Sequence, residues 1–322
     1  MSTLRYQGSD RDTTTRSAIA ITLRLVDDAP PAPPLPEPPP PVVGDYALIA
    51  QLAQGGMSGV YLGQHVTTGE RAALKLPGAP WRGDEAVAQR LLAEHALAGQ
   101  VPHAGVVRID VAARTASGLP YLVMELLDGE NLGALLDRGP LAIGAAVAIA
   151  AQIADAAAAI HAAGLVHCDL KPDNVMLLYR PGLAGWPAAK VIDFGVARRA
   201  GASLTEVAGT PGYMPPEQWA GHVEPGTDVY ALGCTLYELI TGATPFDGTI
   251  AAMREGHCGQ LPTPPSARRA LPDELERLIM RMLAKDVRMR PAMAEVARTL
   301  SDLAFAVPPG ARLELAPVRG AA

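Results

Sequence analysis

The amino-acid sequence predicts an α+β protein in which a small, β-rich lobe precedes a larger, mainly helical lobe. Short β-like runs occupy the first part of the chain, at residues 46–52, 60–65, 71–76, 106–112 and 121–124. One helical stretch, residues 84–98, interrupts these runs. After Gly129 the apolar spacing is mostly helical, at residues 141–163, 228–241, 273–283 and 292–303. The helix at 228–241 is expected to end at Gly242, a common residue just past a helix C-terminus.

Proline marks the start of the folded region. Residues 30–41 are dominated by proline, which has no amide donor and favours an extended polyproline II conformation. We therefore expect residues 1–43 to be a disordered tail that ends in a proline-rich linker. Residues 44–305 are expected to form the domain, with the small lobe at about 45–127 and the large lobe at about 128–305, and residues 306–322 a C-terminal tail.

Charge and cysteine content limit the classes of function. The 322 residues carry a formal net charge of −6, so there is no basic excess for binding a nucleic-acid backbone. The three cysteines are far apart and fit a reducing compartment, which predicts a cytoplasmic protein. Residues 1–12 contain no apolar signal-peptide core, and Gln152, Asp155 and His161 interrupt the alanine-rich stretch at 141–164. That interruption favours a buried helix over a membrane span.

A glycine-rich segment lies between two β-like runs. Its residues, at 52–60, read Leu-Ala-Gln-Gly-Gly-Met-Ser-Gly-Val, and small residues at this density allow backbone amides to approach a phosphate. Taken alone, the segment is more simply an ordinary hairpin turn. Further along, an apolar run contains Lys75, and the chain has only four lysines among its 27 basic residues. A sequence so rich in arginine would be expected to use arginine for any replaceable cation, so its lysines are candidates for special roles.

Two further segments carry polar chemistry. The loop 167–174 places Asp169, Lys171 and Asn174 within six residues, and Asp193 follows a β-branched run at 191–192. An aspartate can accept a hydroxyl proton, a lysine can neutralise a phosphoryl group, and asparagine and aspartate oxygens can hold Mg²⁺. Each segment alone could be a solvated turn or a helix cap. All three in this order are very hard to obtain by chance.

With these motifs, the chain resembles the eukaryotic-like serine/threonine protein kinases of bacteria, over about residues 45–303. The resemblance implies the two-lobed protein kinase fold, ATP with Mg²⁺ or Mn²⁺ as cofactors, and protein substrates. It implies that Lys75 binds the α- and β-phosphates and that Glu94, nine residues before His103, pairs with Lys75. Glu85 is the competing candidate for that pairing.

The resemblance also assigns the remaining site residues. Asp169 is implied as the catalytic base, Lys171 as the γ-phosphate contact, and Asn174 and Asp193 as the metal ligands. Met124 would lie behind the adenine, with the Glu125 carbonyl and the Leu127 amide as hinge groups. The full expected ATP site is Leu52, Ala53, Gln54, Gly55, Gly56, Met57, Ser58, Val60, Ala73, Lys75, Glu94, Met124, Glu125, Leu127, Asn174 and Asp193.

Residues 209–217 resemble the end of the family's activation segment, which binds polypeptide substrates. Three residues are expected to be structural rather than chemical. Glu217 should pair with Arg290, and Asp228 should brace the catalytic loop through backbone amides.

The chain departs from the family pattern at three positions. Ala53 and Ser58 replace glycines of the phosphate loop, and Cys168 replaces the arginine that usually precedes the catalytic aspartate. That arginine normally pairs with a phosphate on the activation segment. We therefore expect activity to depend weakly, or not at all, on the possible phosphorylation sites Ser203, Thr205 and Thr210, although Arg198 and Arg199 could supply substitute cations. Cys168 could be a redox switch, but an inert small residue is the favoured interpretation.

Two segments outside the motifs could bind partners. Thr13, Thr14 and Thr15 could be phosphorylated and bound by a phosphothreonine-recognition (forkhead-associated) domain, although a solubilising tail is the simpler interpretation. Residues 179–187 read as a lengthened hairpin in which Trp186 is either a partner contact or, the favoured option, a local packing staple.

Three functions compete at this point. The leading hypothesis is an active serine/threonine kinase that phosphorylates proteins, including itself, in signalling. The second is a pseudokinase scaffold that binds nucleotide and partners, and it would predict loss of Lys75, Asp169 or Asp193, all of which are present. The third, a small-molecule phosphotransferase, conflicts with the polypeptide platform at 209–217.

Overall fold

A computed structural model describes residues 21–23, 41–203 and 207–306. The tail expected at 1–43 and the C-terminal tail therefore lie mostly outside the described residues. Strand β1 (Ile21–Leu23) precedes the N-terminal lobe in the chain and is paired with a strand of the C-terminal lobe. The N-terminal lobe contains the strands β2 (Val42–Val43), β3 (Tyr46–Gln54), β4 (Ser58–His65) and β5 (Arg71–Pro77), then the helix α1 (Glu85–Ala98), then β6 (Ile109–Arg114) and β7 (Pro120–Met124). Six of these strands form one antiparallel sheet in the order β2-β3-β4-β5-β7-β6.

Helix α1 packs on this sheet, against β5, β6 and β7. It begins because the carboxylate of Asp84 accepts hydrogen bonds from the amides of Ala86 (2.8 Å) and Val87 (3.1 Å). The predicted helix at 84–98 is thus observed as a helix starting one residue later. The run predicted at 106–112 differs, because strand β6 starts only at Ile109. Val107 donates instead to the carbonyl of Val191 in the large lobe, at 2.9 Å.

The C-terminal lobe is mainly helical. It contains β8 (Gly129–Asn131), α2 (Leu132–Leu136), α3 (Ile143–Ala162), β9 (Leu165–Val166), β10 (Val175–Pro181), β11 (Pro187–Val191), β12 (Arg198–Arg199), β13 (Val207–Gly209), α4 (Pro216–Trp219), α5 (Pro225–Thr241), α6 (Ile250–Gly259), α7 (Asp273–Met282) and α8 (Met293–Ala306). Strands β8, β10 and β11 form a three-stranded sheet, while β9 pairs with β12 and β1 pairs with β13. This architecture confirms the predicted α+β, two-lobed protein kinase fold.

Helix α3 is the centre of the large lobe. Its many alanines let α5, α8 and β11 pack closely around it, and most of its residues are buried. Among the described residues it is the one helix long and apolar enough to cross a membrane, and most of it lies inside this core. The burial supports the expected core helix.

Helix α5 starts earlier than its apolar pattern predicted. Pro225 occupies the first turn, and Glu224 and Thr227 form a reciprocal capping box, so the helix begins at residue 225 rather than 228. It ends at Gly242, whose φ of 79° is easily adopted by glycine. The early start places Asp228 in the first helical turn, facing the catalytic loop.

The lengthened hairpin is formed by β10 and β11, joined by a short 3-10 turn at Leu183–Gly185. Trp186 is only 7% exposed and packs in the main core. The interpretation of Trp186 as a packing staple is therefore confirmed.

Candidate active site

A buried lysine links three elements in the cleft between the lobes. Lys75 on β5 places its Nζ 2.9 Å and 2.7 Å from the two carboxylate oxygens of Glu94 on α1. The same Nζ lies 2.8 Å from Oδ1 of Asp193. Glu85, the competing candidate, lies at the exposed start of α1 and instead accepts from Arg114 at 2.6 Å. The structure thus brings Glu94, and not Glu85, to Lys75.

Charge decides the protonation of this cluster. Burial alone would lower the pKa of Lys75, but the carboxylates of Asp193 and Glu94 hold that pKa above its ordinary value. Burial raises the pKa of Glu94 to about 7, although Lys75 opposes the shift. The Asp193 side chain is 44% exposed, and although desolvation opposes the shift, its pKa is lowered, chiefly by Lys75 and by the amide of Gly195. Lys75 is therefore a fixed cation in the cleft.

The catalytic loop is held by Asp228. Its carboxylate accepts hydrogen bonds from the amides of His167 and Cys168, both at 2.8 Å, and contacts His161 Nε2 at 2.9 Å. Burial opposes ionisation of Asp228, but the hydrogen bond from His161 and the neighbouring histidine charges lower its pKa. Asp228 therefore lies where it was expected, as a brace beneath the loop.

Two backbone positions in the site are strained. Among the described residues, Cys168 and Asp193 are the two non-glycine residues with positive φ, each at 67°. Such conformations are uncommon for L residues and persist only where the surrounding structure enforces them. Cys168 directly precedes Asp169 in the chain, and Asp193 is itself one of the two candidate metal ligands.

The carboxylate of Asp169 accepts a hydrogen bond from a threonine hydroxyl. The Oγ1 atom of Thr210 donates to Asp169 Oδ1 at 2.8 Å, and Lys171 Nζ donates to the same Oγ1 at 2.5 Å. Asn174 Nδ2 donates to Asp169 Oδ2 at 3.0 Å and to its carbonyl at 2.8 Å. The arrangement shows that an alcohol fits between a carboxylate that can accept its proton and an ammonium group that can neutralise negative charge.

The phosphate-loop residues and the polar groups line one cavity of about 120 Å³. Lys75 lines this cavity together with Gly55, Gly56, Met57, Ser58, Glu94, Asp169, Lys171, Asn174 and Asp193. Ala53 and Ser58, the two departures from glycine, lie in or at the ends of paired strands, where Ala53 faces Val60. Both are accommodated without positive φ, since neither is among the positive-φ residues described.

The expected adenine-side residues lie further along the same strands. Leu52, Ala53 and Gln54 end β3, and Val60 pairs with Lys75. Ala73 pairs with Met124 across β5 and β7, and Glu125 and Leu127 follow directly in the connection to the large lobe. These adenine-side residues are not among those that line the cavity around Lys75.

The side chains of Asn174 and Asp193 fit a divalent metal bound together with phosphate. Because Asn174 uses Nδ2 as a donor to Asp169, its Oδ1 atom is the coordinating oxygen that it can offer. Over the described part of the chain, no cluster of three or more His, Cys, Asp or Glu side chains could hold a metal alone. A metal at this site therefore needs further oxygens, which nucleotide phosphates have.

Cys168 belongs to an apolar cluster beneath the activation segment. With a residue exposure of 4%, it packs with Val166, Val196, Ala208 and Val223. Burial raises the pKa of its thiol, so the thiolate needed for redox reactivity is disfavoured. The inert interpretation is supported, and apolar contacts surround the position at which the family pattern has an arginine.

The phosphorylation candidates lie in different surroundings. Ser203 is exposed, and its backbone forms an isolated antiparallel β-bridge with His222. The Thr210 hydroxyl is instead hydrogen-bonded to Asp169 and Lys171. Arg199 is exposed, and Arg198 donates to the carbonyl of Ala197. Thr13, Thr14, Thr15 and Thr205 lie outside the described residues.

Glu217 and Arg290 form a two-point ion pair at 2.6 Å and 3.0 Å, and Arg290 is 7% exposed. Arg290 also donates to the carbonyls of Ala284 and Gly226, both at 2.8 Å. The pair therefore ties the end of the activation segment to the helical lobe, as expected of a structural contact.

Sequence reasoning missed two contacts. It did not foresee that the Thr210 hydroxyl would sit on Asp169, since 41 residues separate them. It also gave no role to Lys190, whose Nζ forms an ion pair with the carboxylate of Glu125. The scarcity of lysine was the only available signal for Lys190.

A cleft between a β-sheet lobe and a helical lobe, lined by a glycine loop, a Lys–Glu pair and two loop aspartates, defines the protein kinase class. The protein kinase domain model matches residues 46–300. The chain belongs to the protein kinase family, and the predicted resemblance is confirmed.

Curated relatives agree with this assignment. The chain is 40% identical over 290 residues to the serine/threonine-protein kinase Pkn1 of Myxococcus xanthus, which covers 86% of this chain and 41% of that protein. It is 37% identical over 254 residues to the serine/threonine-protein kinase PknB of Mycolicibacterium smegmatis, covering 75% of this chain and 40% of the relative. The chain thus spans about two fifths of the length of these relatives. Family membership implies use of ATP with a divalent metal.

Proposed function

We propose that this chain is an active serine/threonine protein kinase that transfers the γ-phosphoryl group of ATP to protein hydroxyls, including its own. The observation that carries the proposal is the Thr210 hydroxyl, held 2.8 Å from Asp169 and 2.5 Å from Lys171. A substrate serine or threonine placed similarly would meet the same two groups. Nothing in the cleft supports the pseudokinase scaffold, because Lys75, Asp169 and Asp193 are all present and in mutual reach.

Each site residue then has a role. ATP supplies the phosphoryl group, and Mg²⁺ or Mn²⁺ neutralises phosphate charge when bound. Lys75 contacts the α- and β-phosphates while Glu94 holds its ammonium in place. Asp169 orients the acceptor hydroxyl and accepts its proton, and Lys171 stabilises charge on the transferred group. Asn174 and Asp193 are the metal ligands, and the Glu125 carbonyl and Leu127 amide receive the adenine.

We further propose a cytoplasmic location and weak dependence on activation-segment phosphorylation. The apolar cluster around Cys168 supports the second point, because it orders β13 without a charge pair. Phosphorylated Thr13 to Thr15 would be bound by a phosphothreonine-recognition domain, a proposal that rests on their clustering in the sequence. The net charge of −6 argues against a nucleic-acid partner.

The decisive experiment compares the wild-type chain with Asp169→Asn after incubation with ATP and Mg²⁺. Intact-mass and peptide mass spectrometry count and locate the phosphates. We expect phosphate on serine or threonine of the wild type and none on the variant. Asp155→Asn, the same substitution at an exposed carboxylate of α3, is the matched control and should behave as wild type. Absence of phosphate from the wild type, on itself and on a generic basic substrate, would favour the scaffold.

A further inference from the structure

Lys190 is a buried cation to which the proposed chemistry gives no role. It lies on β11, opposite Met176 of β10, and is 6% exposed. Its Nζ forms an ion pair with the carboxylate of Glu125, whose side chain is 19% exposed. Glu125 is the first residue after β7, where the chain crosses from the small lobe to the large one.

We propose that Lys190 is a positioning residue for nucleotide, which fixes the backbone of Glu125 so that its carbonyl faces the adenine site. The inference rests on the proposed function only in assuming that adenine binds at this connection. Lys190 itself does not touch the nucleotide in this proposal, and it acts through Glu125.

Glu125 is held at three points. Its amide donates to the carbonyl of Arg108 at 3.1 Å, and its Oε1 atom accepts from the Arg108 amide at 2.7 Å. Lys190 donates to the same Oε1. None of these three bonds uses the carbonyl oxygen of Glu125. The bonds therefore restrict rotation of the residue while leaving the oxygen that the adenine amino group requires.

Hydrogen bonds to other segments hold the backbone next to Lys190 in place. The next residue, Val191, donates to the carbonyl of Gly105 at 2.8 Å and accepts from Val107 at 2.9 Å. Ile192 donates to the carbonyl of Asn174 at 2.9 Å. Strand β11 is thus hydrogen-bonded to the segment after α1 and to the catalytic loop. The ion pair therefore fixes the position of Glu125 relative to both segments.

An ion pair is a costly way to fill this space. Apolar residues of similar volume often replace a buried pair at no loss of stability, so such a pair is weak evidence for a stabilising role. Removing one partner alone leaves an uncompensated charge, which destabilises strongly. Retention of one of only four lysines here fits a geometric requirement better than a stability requirement.

The test compares Lys190→Met, Glu125→Gln and the double variant. Dissociation constants for adenosine and for Mg·ATP are measured by calorimetry, and melting temperature is measured without nucleotide. We expect Lys190→Met to raise the dissociation constants of both ligands about tenfold, because the adenine would lose one well-placed hydrogen bond. The double variant should regain melting temperature, because no unpaired charge remains, but should not regain adenosine affinity.

Two controls sharpen the result. Lys285→Met removes another partly buried lysine, outside the cleft, and should leave adenosine binding unchanged. Wild-type affinity for adenosine in Lys190→Met, or its recovery in the double variant, overturns the proposal. Loss of Mg·ATP affinity with normal adenosine affinity also overturns it, because Lys190 would then act through Asp193. Nucleotide binding by a wild-type chain that transfers no phosphate would overturn the proposed function alone.

Discussion

At position 168 a buried thiol stands directly before the candidate catalytic aspartate. An arginine there would place a charge among Val166, Val196, Ala208 and Val223, where it would need a phosphate partner. The cysteine instead fills the space with apolar contact. Gln218 adds two neutral hydrogen bonds, to the carbonyls of Cys168 (2.8 Å) and Ala208 (2.6 Å). Apolar contacts and two neutral hydrogen bonds thus hold the activation segment at this point.

This packing predicts activity without activation-segment phosphorylation. Replacing Ser203 and Thr205 by alanine should change peptide phosphorylation by less than about threefold, because the apolar cluster needs no phosphate to hold the segment. The rate is measured on protein purified after phosphatase treatment, with untreated wild type as the reference. A tenfold or larger loss in the double variant would contradict the role assigned to the apolar cluster.

Among the structural elements, the β10–β11 hairpin shows how an insertion is stabilised. Trp186 packs on the core side of the hairpin, and Gln152 of α3 makes two hydrogen bonds to β11, donating to the Pro187 carbonyl at 3.1 Å and accepting from the Ala189 amide at 3.2 Å. Strand β11 then continues to Asp193. The insertion is therefore anchored to α3, the central helix of the large lobe.

Trp186→Ala should lower the free energy of unfolding by about 3 kcal/mol or more, the cost of emptying a buried aromatic site. Phosphorylation rate per folded molecule should stay unchanged, since Trp186 is not in the cleft. Tyr179→Ala, in the same hairpin at 40% exposure, should cost about 1 kcal/mol or less. Denaturant titration measures both. Equal losses in the two variants would show that the hairpin is not fastened by Trp186.

Helix prediction succeeded where apolar spacing was long and regular, as for α1, α3 and α7. It failed at the start of α5, because Pro225 and Glu224 act as capping residues rather than as part of an apolar face. Strand prediction placed the start of β6 too early. Val106 and Val107 have a strand-like composition, but their backbones pair with Val191 of β11 in the other lobe. Local pattern cannot reveal a partner 84 residues away, which only the folded chain brings close.

Across the entire domain, acid stability depends on neutral groups as well as on carboxylates. His257 on α6 is fully buried, and its Nδ1 lies 3.0 Å from the hydroxyl of Tyr230 on α5. Lys285 donates to the same hydroxyl at 3.0 Å, and Phe246 stacks edge-on against the imidazole. Burial, aided by the charge of Lys285, lowers the pKa of His257 to about 3.

Unfolded His257 binds a proton below pH 6.5 whereas folded His257 stays neutral down to about pH 3. Its contribution is therefore complete above pH 6.5 and is lost as pH falls from 6.5 towards 3, by about 1.4 kcal/mol per pH unit for one proton. His257→Asn keeps an acceptor for Tyr230 and should remove this slope. Unfolding free energies at pH 6, 5 and 4 measure the difference between the two proteins. Parallel pH profiles would contradict the assignment.

The candidate site was predictable to the extent that its residues lie in short motifs. Asp169, Lys171, Asn174 and Asp193 were each foreseen and lie around one cavity. Glu94 required a choice between two glutamates, and the sheet register with α1 packing settles which one reaches Lys75. Thr210 on Asp169 and Lys190 on Glu125 depend on contacts between distant segments, so no local pattern could have assigned them.

All four lysines of the chain point inward: Lys75 to Glu94, Lys171 to Thr210, Lys190 to Glu125 and Lys285 to Tyr230. The protein surface therefore presents guanidinium groups and almost no ε-amines. Among the lysines, amine-directed coupling to a support or a dye would react first at Lys285, because burial lowers its pKa to about 8 and it lies outside the cleft. Acylation of Lys75 or Lys171, which line the cavity, would instead report opening of the cleft, and surface tagging calls for a different functional group.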